Sequence, residues 1–600
     1  MTKPPAGDKA SDKAGQLAAE MMELMERSQG ILRQQFDWLA KDDGFRLMDP
    51  AVIGQAFQDM TQRAWDNPAR LIREQFAYWN DITRLWQQTA LRILGDGGLP
   101  PVAEPAPDDK RFKDKEWVEN LVFDVVKQAY LLTSRHVQST VSQIEGVDPH
   151  TARKVGFYTR QVLGALSPSN FAATNPEVVR ATIESGGENL VKGLRHLLDD
   201  MERGGGGHLS VSLTDRSAFR VGENIAQTPG KVVFQNEMMQ LLQYTPITDT
   251  VRERPLLIVP PWINKFYVLD LKPQNSFVRW AVEEGHTVFV ISWVNPDETL
   301  ADVSFEQYMK RGLLAAIDAI AAATGQKRVN AVGYCIGGTL LATTLAWMAA
   351  KKDRRVASAT YFTSLVDFSD PGELAVFIDD QQLDLMDEHM RRKGYLEAHH
   401  LSDAFSLLRE NDLIWSFVVR NYLLGQEPMP FDLLYWNSDS THMPAAMHSF
   451  YLRNMYLRNL LREPGGITIG GVPLDLRDIK VPTYFLSARE DHIAPWKTTY
   501  LGAGLMGGPV RFVLSGSGHI AGVINPPKAR KYGYWTNPVL APTADGWLEA
   551  AQQNEGSWWP DWDAWVSEFG GSRVPARHPG DGRLPVIEDA PGSYVKVRRT

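Results

Sequence analysis

Cysteine is almost absent from the chain: one in 600 residues, Cys335. A single thiol closes no internal disulfide, so the sequence carries no sign of an oxidising compartment, and cysteine-rich metal sites are excluded. No run of about 18 apolar residues occurs, which argues against a membrane-spanning helix. The first fifteen residues are polar and contain lysines but no apolar core of a secretory signal, so the expected compartment is the cytoplasm. Positive charge is not in excess either. A net charge of −9 and an isoelectric point near 5.9 speak against a general nucleic-acid binder. No G-x-x-x-x-G-K-[ST] phosphate loop is present. The one G-x-G-x-x-G match, Gly502–Gly507, follows a helix-like stretch instead of the strand that a dinucleotide site requires. Glu388, His389, His399 and His400 fit no H-E-x-x-H spacing and read as solvated helix faces. Neither a metal nor a cofactor is expected.

What is present describes a globular protein, 44% hydrophobic and 22% charged, with more residues than one core usually serves. Residues 1–14 read as disordered. From about Leu17 to Leu94 apolar residues recur every three or four positions: Met21, Met25, Ile31, Leu32, Phe36, Leu39, then Leu71, Ile72, Phe76, Trp79, Ile82 and Trp86. That is helical periodicity. The stripe fits either an ordinary helical core or an apolar face that docks on another surface. The Pro-rich stretch 99–107 reads as a linker, and a second helical region runs from Trp117 to about Met201. The four glycines Gly204–Gly207 cannot lie inside an element. The expected domains are therefore a variable helical extension (1–104), a helical domain (105–207) and a catalytic domain (208–600).

Beyond the glycines, short β-branched runs alternate with helical segments: Leu256–Val259, Thr287–Ser292, Val329–Tyr334, Ala359–Leu365, Thr483–Leu486 and Arg511–Leu514. Alternation of this kind implies an α/β fold with a mostly parallel sheet covered on both faces. Residues 368–475 interrupt it with helical patterning, as a cap insertion would. Near the carboxyl end, Trp558, Trp559, Trp562 and Trp565 read as a docked terminal helix.

Cys335 lies in Gly333-Tyr334-Cys335-Ile336-Gly337-Gly338, with a strand-like segment before it and a helix-like segment after it. This is the pattern of a nucleophile elbow with Cys in place of Ser. A thiol with an ordinary pKa near 8.5 needs a base or a favourable local field, and the following helix N-terminus supplies part of that field. In the chain order nucleophile, acid, histidine, Asp491 is the expected acid and His519 the expected base. His492 competes for the base role but adjoins Asp491, and neighbours on one turn rarely aim at a common third point. The N–H of Ile336 is the expected first oxyanion donor. The second falls in Val259–Lys265, where Pro260 and Pro261 stiffen the backbone, without one donor being singled out.

These residues resemble the polyhydroxyalkanoate synthases, in particular the long single-subunit class I type. The resemblance rests on the Cys335 elbow, Pro260-Pro261-Trp262-Ile263-Asn264-Lys265, Asp491-His492-Ile493-Ala494-Pro495-Trp496 and Gly518-His519-Ile520-Ala521-Gly522. Trp436-Asn437-Ser438-Asp439 and Pro591-Gly592-Ser593-Tyr594-Val595 add to it. It covers about residues 105–600. It implies an α/β-hydrolase catalytic domain with a cap, preceded by a helical domain and working as a homodimer on a growing polyester granule. It implies (R)-3-hydroxyacyl-CoA as substrate, hydroxybutyryl above all. Cys335 would carry the acyl group, His519 would activate the thiol, and Asp491 would orient His519 or help deprotonate the incoming hydroxyl. Asn264, Trp436 and His492 are candidate substrate contacts. A synthase preferring medium-chain 3-hydroxyacyl-CoA, a Cys-dependent thioesterase or lactone hydrolase, and a non-catalytic granule protein are the alternatives.

Overall fold

The computed structural model describes residues 20–31, 47, 49–65, 68–95, 99–204 and 209–599. The expected disorder of residues 1–14, the side chains of Leu32, Phe36 and Leu39, and Gly205–Gly207 lie outside the described residues. Two compact units emerge: Met1–Asp215 with Phe405–Met429, and Arg216–Ala404 with Pro430–Thr600. Twenty-five residues of the segment expected as a cap, Phe405–Met429, thus belong to the first unit.

The first unit is helical. Pro68–Ile93 packs on Leu121–Ser142 around Leu85, Ala103 and Leu132, and Pro50–Trp65 packs on Pro149–Ala165 around Ala56, Met60 and Val155. The Pro-rich stretch differs from the linker expected for it. Ala103 is buried, and the N–H groups of Val102 and Ala103 donate to Gln128 Oε1 at 2.7 and 3.2 Å. Proline removes donors and fixes φ but does not prevent packing, and here the residues between the prolines dock. Phe405–Met429 joins this unit through Val418–Leu423, which lies on Glu188–Arg203. Tyr422 OH donates to Asp200 Oδ2 at 2.6 Å, and a Cβ on Gly193 would stand 1.8 Å from the Tyr422 carbonyl oxygen. Only glycine permits that approach.

The second unit is built on an eleven-stranded sheet. Its strands are β1 (Gly230–Gln235), β2 (Met239–Tyr244), β3 (Leu256–Val259), β4 (Val288–Trp293), β5 (Val329–Tyr334) and β6 (Val356–Phe362). They are followed by β7 (Thr483–Ala488), β8 (Val510–Ser515), β9 (Tyr534–Thr536), β10 (Gln552–Asn554) and β11 (Glu588–Asp589). The order across the sheet is β10-β9-β8-β7-β6-β5-β3-β4-β2-β1-β11. The six strands from β4 to β8 in that order run parallel, and antiparallel pairs flank them on both sides. The six strand positions expected from sequence are this parallel set. They are nearly all buried, as strands covered on both faces must be. Of the flanking strands, β2 is buried throughout and was missed, whereas the short outer strands have no such pattern; β10, for instance, is Gln-Gln-Asn.

Strand order reverses at β3, which has β4 on one side and β5 on the other. In open α/β sheets ligands bind outside the carboxyl ends of the strands at this switch point. The tail packs nearby in the same unit: Trp559–Ser567 buries Trp559 and Trp562, with Trp558, against Phe277 and Phe362. Burial of each such ring is worth about 1.5–3 kcal/mol.

Candidate active site

Cys335 stands between β5 and the helix Ile336–Ala350 with φ 53° and ψ −125°, a conformation that costs a non-glycine residue about 1–3 kcal/mol. Its N–H donates to the Phe362 carbonyl at 2.9 Å, and its own carbonyl accepts from the N–H groups of Gly338 and Thr339. The turn is held by close packing. A Cβ on Gly337 would lie 2.1 Å from the Val259 oxygen at the end of β3, and one on Gly333 would lie 2.4 Å from the Gly338 Cα. The first amides of the helix, Ile336 among them, have no acceptor within the helix and stand beside the half-buried thiol.

Asp491 and His519 arrive from the ends of β7 and β8. Those two loops are joined through the backbone, Arg489 N–H to Ser515 and Glu490 N–H to Ser517, at 2.8 and 2.9 Å. His519 Nδ1 lies 2.7 Å from Asp491 Oδ2, and Asp491 Oδ1 accepts the N–H groups of Ile493 and Ala494 at 2.9 Å each. The carboxylate is therefore oriented toward His519 by its own turn. Burial alone would depress the His519 pKa. The charges of Asp491 and Cys335 and the hydrogen bonds to both outweigh burial and push it up to about 10. The imidazole is thus held by the acid, with the thiol close enough for its charge to act on the ring. His492 is half-buried on the adjoining turn, its carbonyl packed near Gly372.

The tail tryptophans add a function that a docked helix alone would not have. Trp558 Nε1 donates to Gly522 O at 2.8 Å and Trp559 Nε1 to Val523 O at 2.9 Å, fastening the loop that carries His519. Tyr334, just before the nucleophile, stacks on the His519 ring and donates to its carbonyl at 3.3 Å.

Asn264 and Trp436 are brought together, but with each other's segments. Asn264 Nδ2 donates to Asn437 O and Ser440 Oγ at 3.4 and 3.2 Å, and Trp436 Nε1 donates to Lys265 O at 2.6 Å. Their polar atoms tie the loop after β3 to residues 436–441. Beneath them Lys265 pairs with Asp439 at 2.7 Å. Burial pulls the lysine pKa below its usual range, and Asp439 partly opposes that.

Tyr451 and Tyr456, which the sequence reading did not single out, lie close enough to Cys335 for its charge to act on them. Their rings meet edge-on at 5.3 Å. Burial raises both phenol pKa values, and the charge at Cys335 raises them further. Residues five apart fall on different sides of an α-helix. Here Leu452–Leu457 is a π-helix, whose i→i+5 bonding aligns them. A Tyr pair at that spacing was the available signal.

His389, Glu397 and His400 also converge, with ligand-type atoms all within 4.8 Å of one another. His389 is buried, not part of the solvated face expected for it. Lys393 forms an ion pair with the same Glu397 carboxylate, so the cluster already holds a cation. Among the described residues no helix is long and apolar enough to cross a membrane.

The sheet order and the turn after β5 are those of an α/β-hydrolase, and residues 255–526 match the family described as alpha/beta hydrolase fold. Residues 108–281 match the family described as poly-beta-hydroxybutyrate polymerase (PhaC) N-terminus. The chain is 50% identical over 559 residues to a poly(3-hydroxyalkanoate) polymerase of Methylorubrum extorquens, covering 92% of each protein. It is 52% identical to poly(3-hydroxyalkanoate) polymerase subunit PhaC of Rhizobium meliloti, covering 89% of this chain and 86% of the relative. Against the Cupriavidus necator subunit PhaC it is 44% identical, covering 88% and 89%. The chain belongs to the poly(3-hydroxyalkanoate) polymerase family.

Proposed function

We propose that this chain polymerises (R)-3-hydroxyacyl groups, hydroxybutyryl above all, from their CoA thioesters into polyester through an acyl-Cys335 intermediate. The observation that carries the reading is the Asp491–His519 hydrogen bond at 2.7 Å, on an imidazole that also feels the charge of a Cys where hydrolases of this fold carry Ser. Cys335 sulfur attacks the thioester carbonyl, and His519 holds the thiol proton. The N–H of Ile336 and a donor from the loop after β3 stabilise the oxyanion, and CoA leaves with the proton from His519. His519 next takes the proton of an incoming 3-hydroxyl, whose oxygen attacks the acyl-Cys carbonyl. The ester bond forms, the carbon–sulfur bond breaks, and the sulfur regains a proton from His519. The extended chain, still a CoA thioester, then acylates Cys335 again.

The choice of cysteine follows from energetics. Exchange of one thioester for another keeps the acyl group activated, so ester formation runs downhill. A serine ester would equal the polymer link in energy and lose that drive. Water must be kept from the acyl-enzyme, and the cap segment with Tyr451 and Tyr456 suits that task. Work at a granule surface in the cytoplasm, as a homodimer of the class I type, completes the proposal.

The test compares 3-hydroxybutyryl-CoA with 3-hydroxydecanoyl-CoA, reading CoA release and water-insoluble product. Faster turnover of the four-carbon substrate with polyester as product is expected; free hydroxy acid would make the protein a hydrolase instead. Cys335→Ala should abolish both readouts while the fold persists, and labelled substrate should trap on the Cys335 peptide. Label that survives in the variant would place the nucleophile elsewhere.

A further inference from the structure

The loop after β3 makes contacts that a simple strand-to-helix connection does not need. Lys265 and Asp439 are among the most buried charged groups in their unit, their side chains 4% and 2% exposed. Asp439 Oδ2 accepts from Tyr267 OH at 2.8 Å, and its other oxygen faces Arg598 Nε at 3.4 Å. Lys265 Nζ also donates to the Val597 carbonyl at 2.9 Å. Three stretches far apart in sequence therefore meet on one buried charge pair: the loop after β3, the segment 436–441, and the carboxyl-terminal tail. Above it, Asn264 and Trp436 bond across the same junction, and the Thr441 N–H donates to Ile263 O at 3.1 Å. The other end of the loop is fixed as well. Trp293 Nε1 donates to Pro260 O at 2.9 Å, and the elbow residue Gly337 rests against the oxygens of Val259 and Pro260.

A buried ion pair is a poor source of stability, because desolvation cancels much of its attraction. What it does supply is a single geometry. We propose that Lys265 and Asp439 are positioning residues that hold the loop Pro260–Lys265 against the elbow, with the tail residue Arg598 as the outer member of the clamp. The loop lies where the second oxyanion donor belongs, and a donor displaced by a fraction of an ångström loses much of its effect. The inference rests on the acyl-Cys335 reading above.

The experiment uses the full-length chain and two readouts. The p-nitrophenyl butyrate burst reports acylation of Cys335 by any ester; single-turnover CoA release from 3-hydroxybutyryl-CoA reports the proposed substrate. The variant Lys265→Met/Tyr267→Phe/Asp439→Leu replaces the cluster by apolar groups of similar volume, which is often neutral for stability. Its thermal midpoint should stay near that of the unaltered chain while the burst rate falls about tenfold or more, with KM changed by less than about threefold. Arg598→Ala, altered at the half-exposed end, should lower the burst rate about threefold at unchanged midpoint, and Arg598→Lys should restore it. Recovery of rate along with stability in the triple variant, or an unaltered burst in Arg598→Ala, would overturn the proposal. A normal burst in the unaltered chain without CoA release would instead sink the polymerase reading and leave the clamp standing.

Discussion

At Cys335 the backbone takes a positive φ, held by its own hydrogen bonds to Phe362, Gly338 and Thr339 and by the close packing of Gly333, Gly337 and Gly338. His519 is held well above the ordinary imidazole range by Asp491 and Cys335 against the effect of burial. A general base typically contributes about 10²–10⁴ in rate, so His519→Gln should approach the Cys335→Ala phenotype while His492→Gln loses far less. The reverse ranking in single-turnover CoA release would reassign the base. The raised pKa also has a sign for stability. A group that binds its proton more tightly folded than unfolded stabilises the fold while protonated. The contribution is therefore complete below about pH 6.5, the unfolded value, and is lost as pH climbs through about 10. Thermal midpoints measured from pH 6 to 10.5 should fall less steeply for His519→Gln than for the unaltered chain. Parallel curves would mean that no net stabilisation of the imidazolium exists. Each candidate acid, base and nucleophile was legible because its short motif at a strand end is a local property, and a chain-order rule links the three.

Among the elements, the elbow and the loop after β3 act as a pair. Gly337 is the contact point: an added Cβ would meet the Val259 backbone oxygen at 2.1 Å, and backbone cannot swing away as a side chain can. Gly337→Ala should cost about 1–3 kcal/mol or more in chemical denaturation and abolish Cys335 acylation by moving both elements. A variant with wild-type stability and full activity would show that the loop yields freely. The helix carrying Tyr451 and Tyr456 was legible only as helical, since periodicity does not distinguish an α turn from the π turns of Leu452–Leu457. The short outer strands escaped notice because stretches such as Tyr534–Thr536 and Gln552–Asn554 carry too few residues for any alternation, a reason that does not extend to the six-residue Met239–Tyr244.

On the scale of the whole molecule, the amino-terminal stripe divides in two. Leu85 is buried and Ile82 packs beside it, whereas Ile72, Phe76, Trp79 and Trp86 remain exposed on the same helix, Phe76 at 71%. The core reading therefore holds for part of the stripe, and the rest is an exposed apolar face. The outer face suits an apolar granule, which binds amphipathic helices in proportion to the area buried. Phe76→Ser/Trp79→Ser/Trp86→Ser should leave the thermal midpoint within a degree or two, because exposed substitutions usually change stability by less than about 0.5 kcal/mol. The same variant should co-sediment less with polyester granules. Unchanged partitioning would remove this face from granule binding.

Sequence alone determined the α/β alternation and the parallel strand set, and it singled out the motifs around Cys335, Asp491 and His519 as candidates. Each single strand and each motif is written in ten residues or fewer, where burial on both faces or a sharp turn constrains residue type directly. Only the tertiary structure decided what Asn264, Trp436 and Asp439 bond to, and that the tail tryptophans hold the His519 loop. It also assigned Phe405–Met429 to the helical unit. Such contacts join residues hundreds of positions apart. Their partners depend on which strands the sheet sets side by side, and local periodicity does not encode that choice.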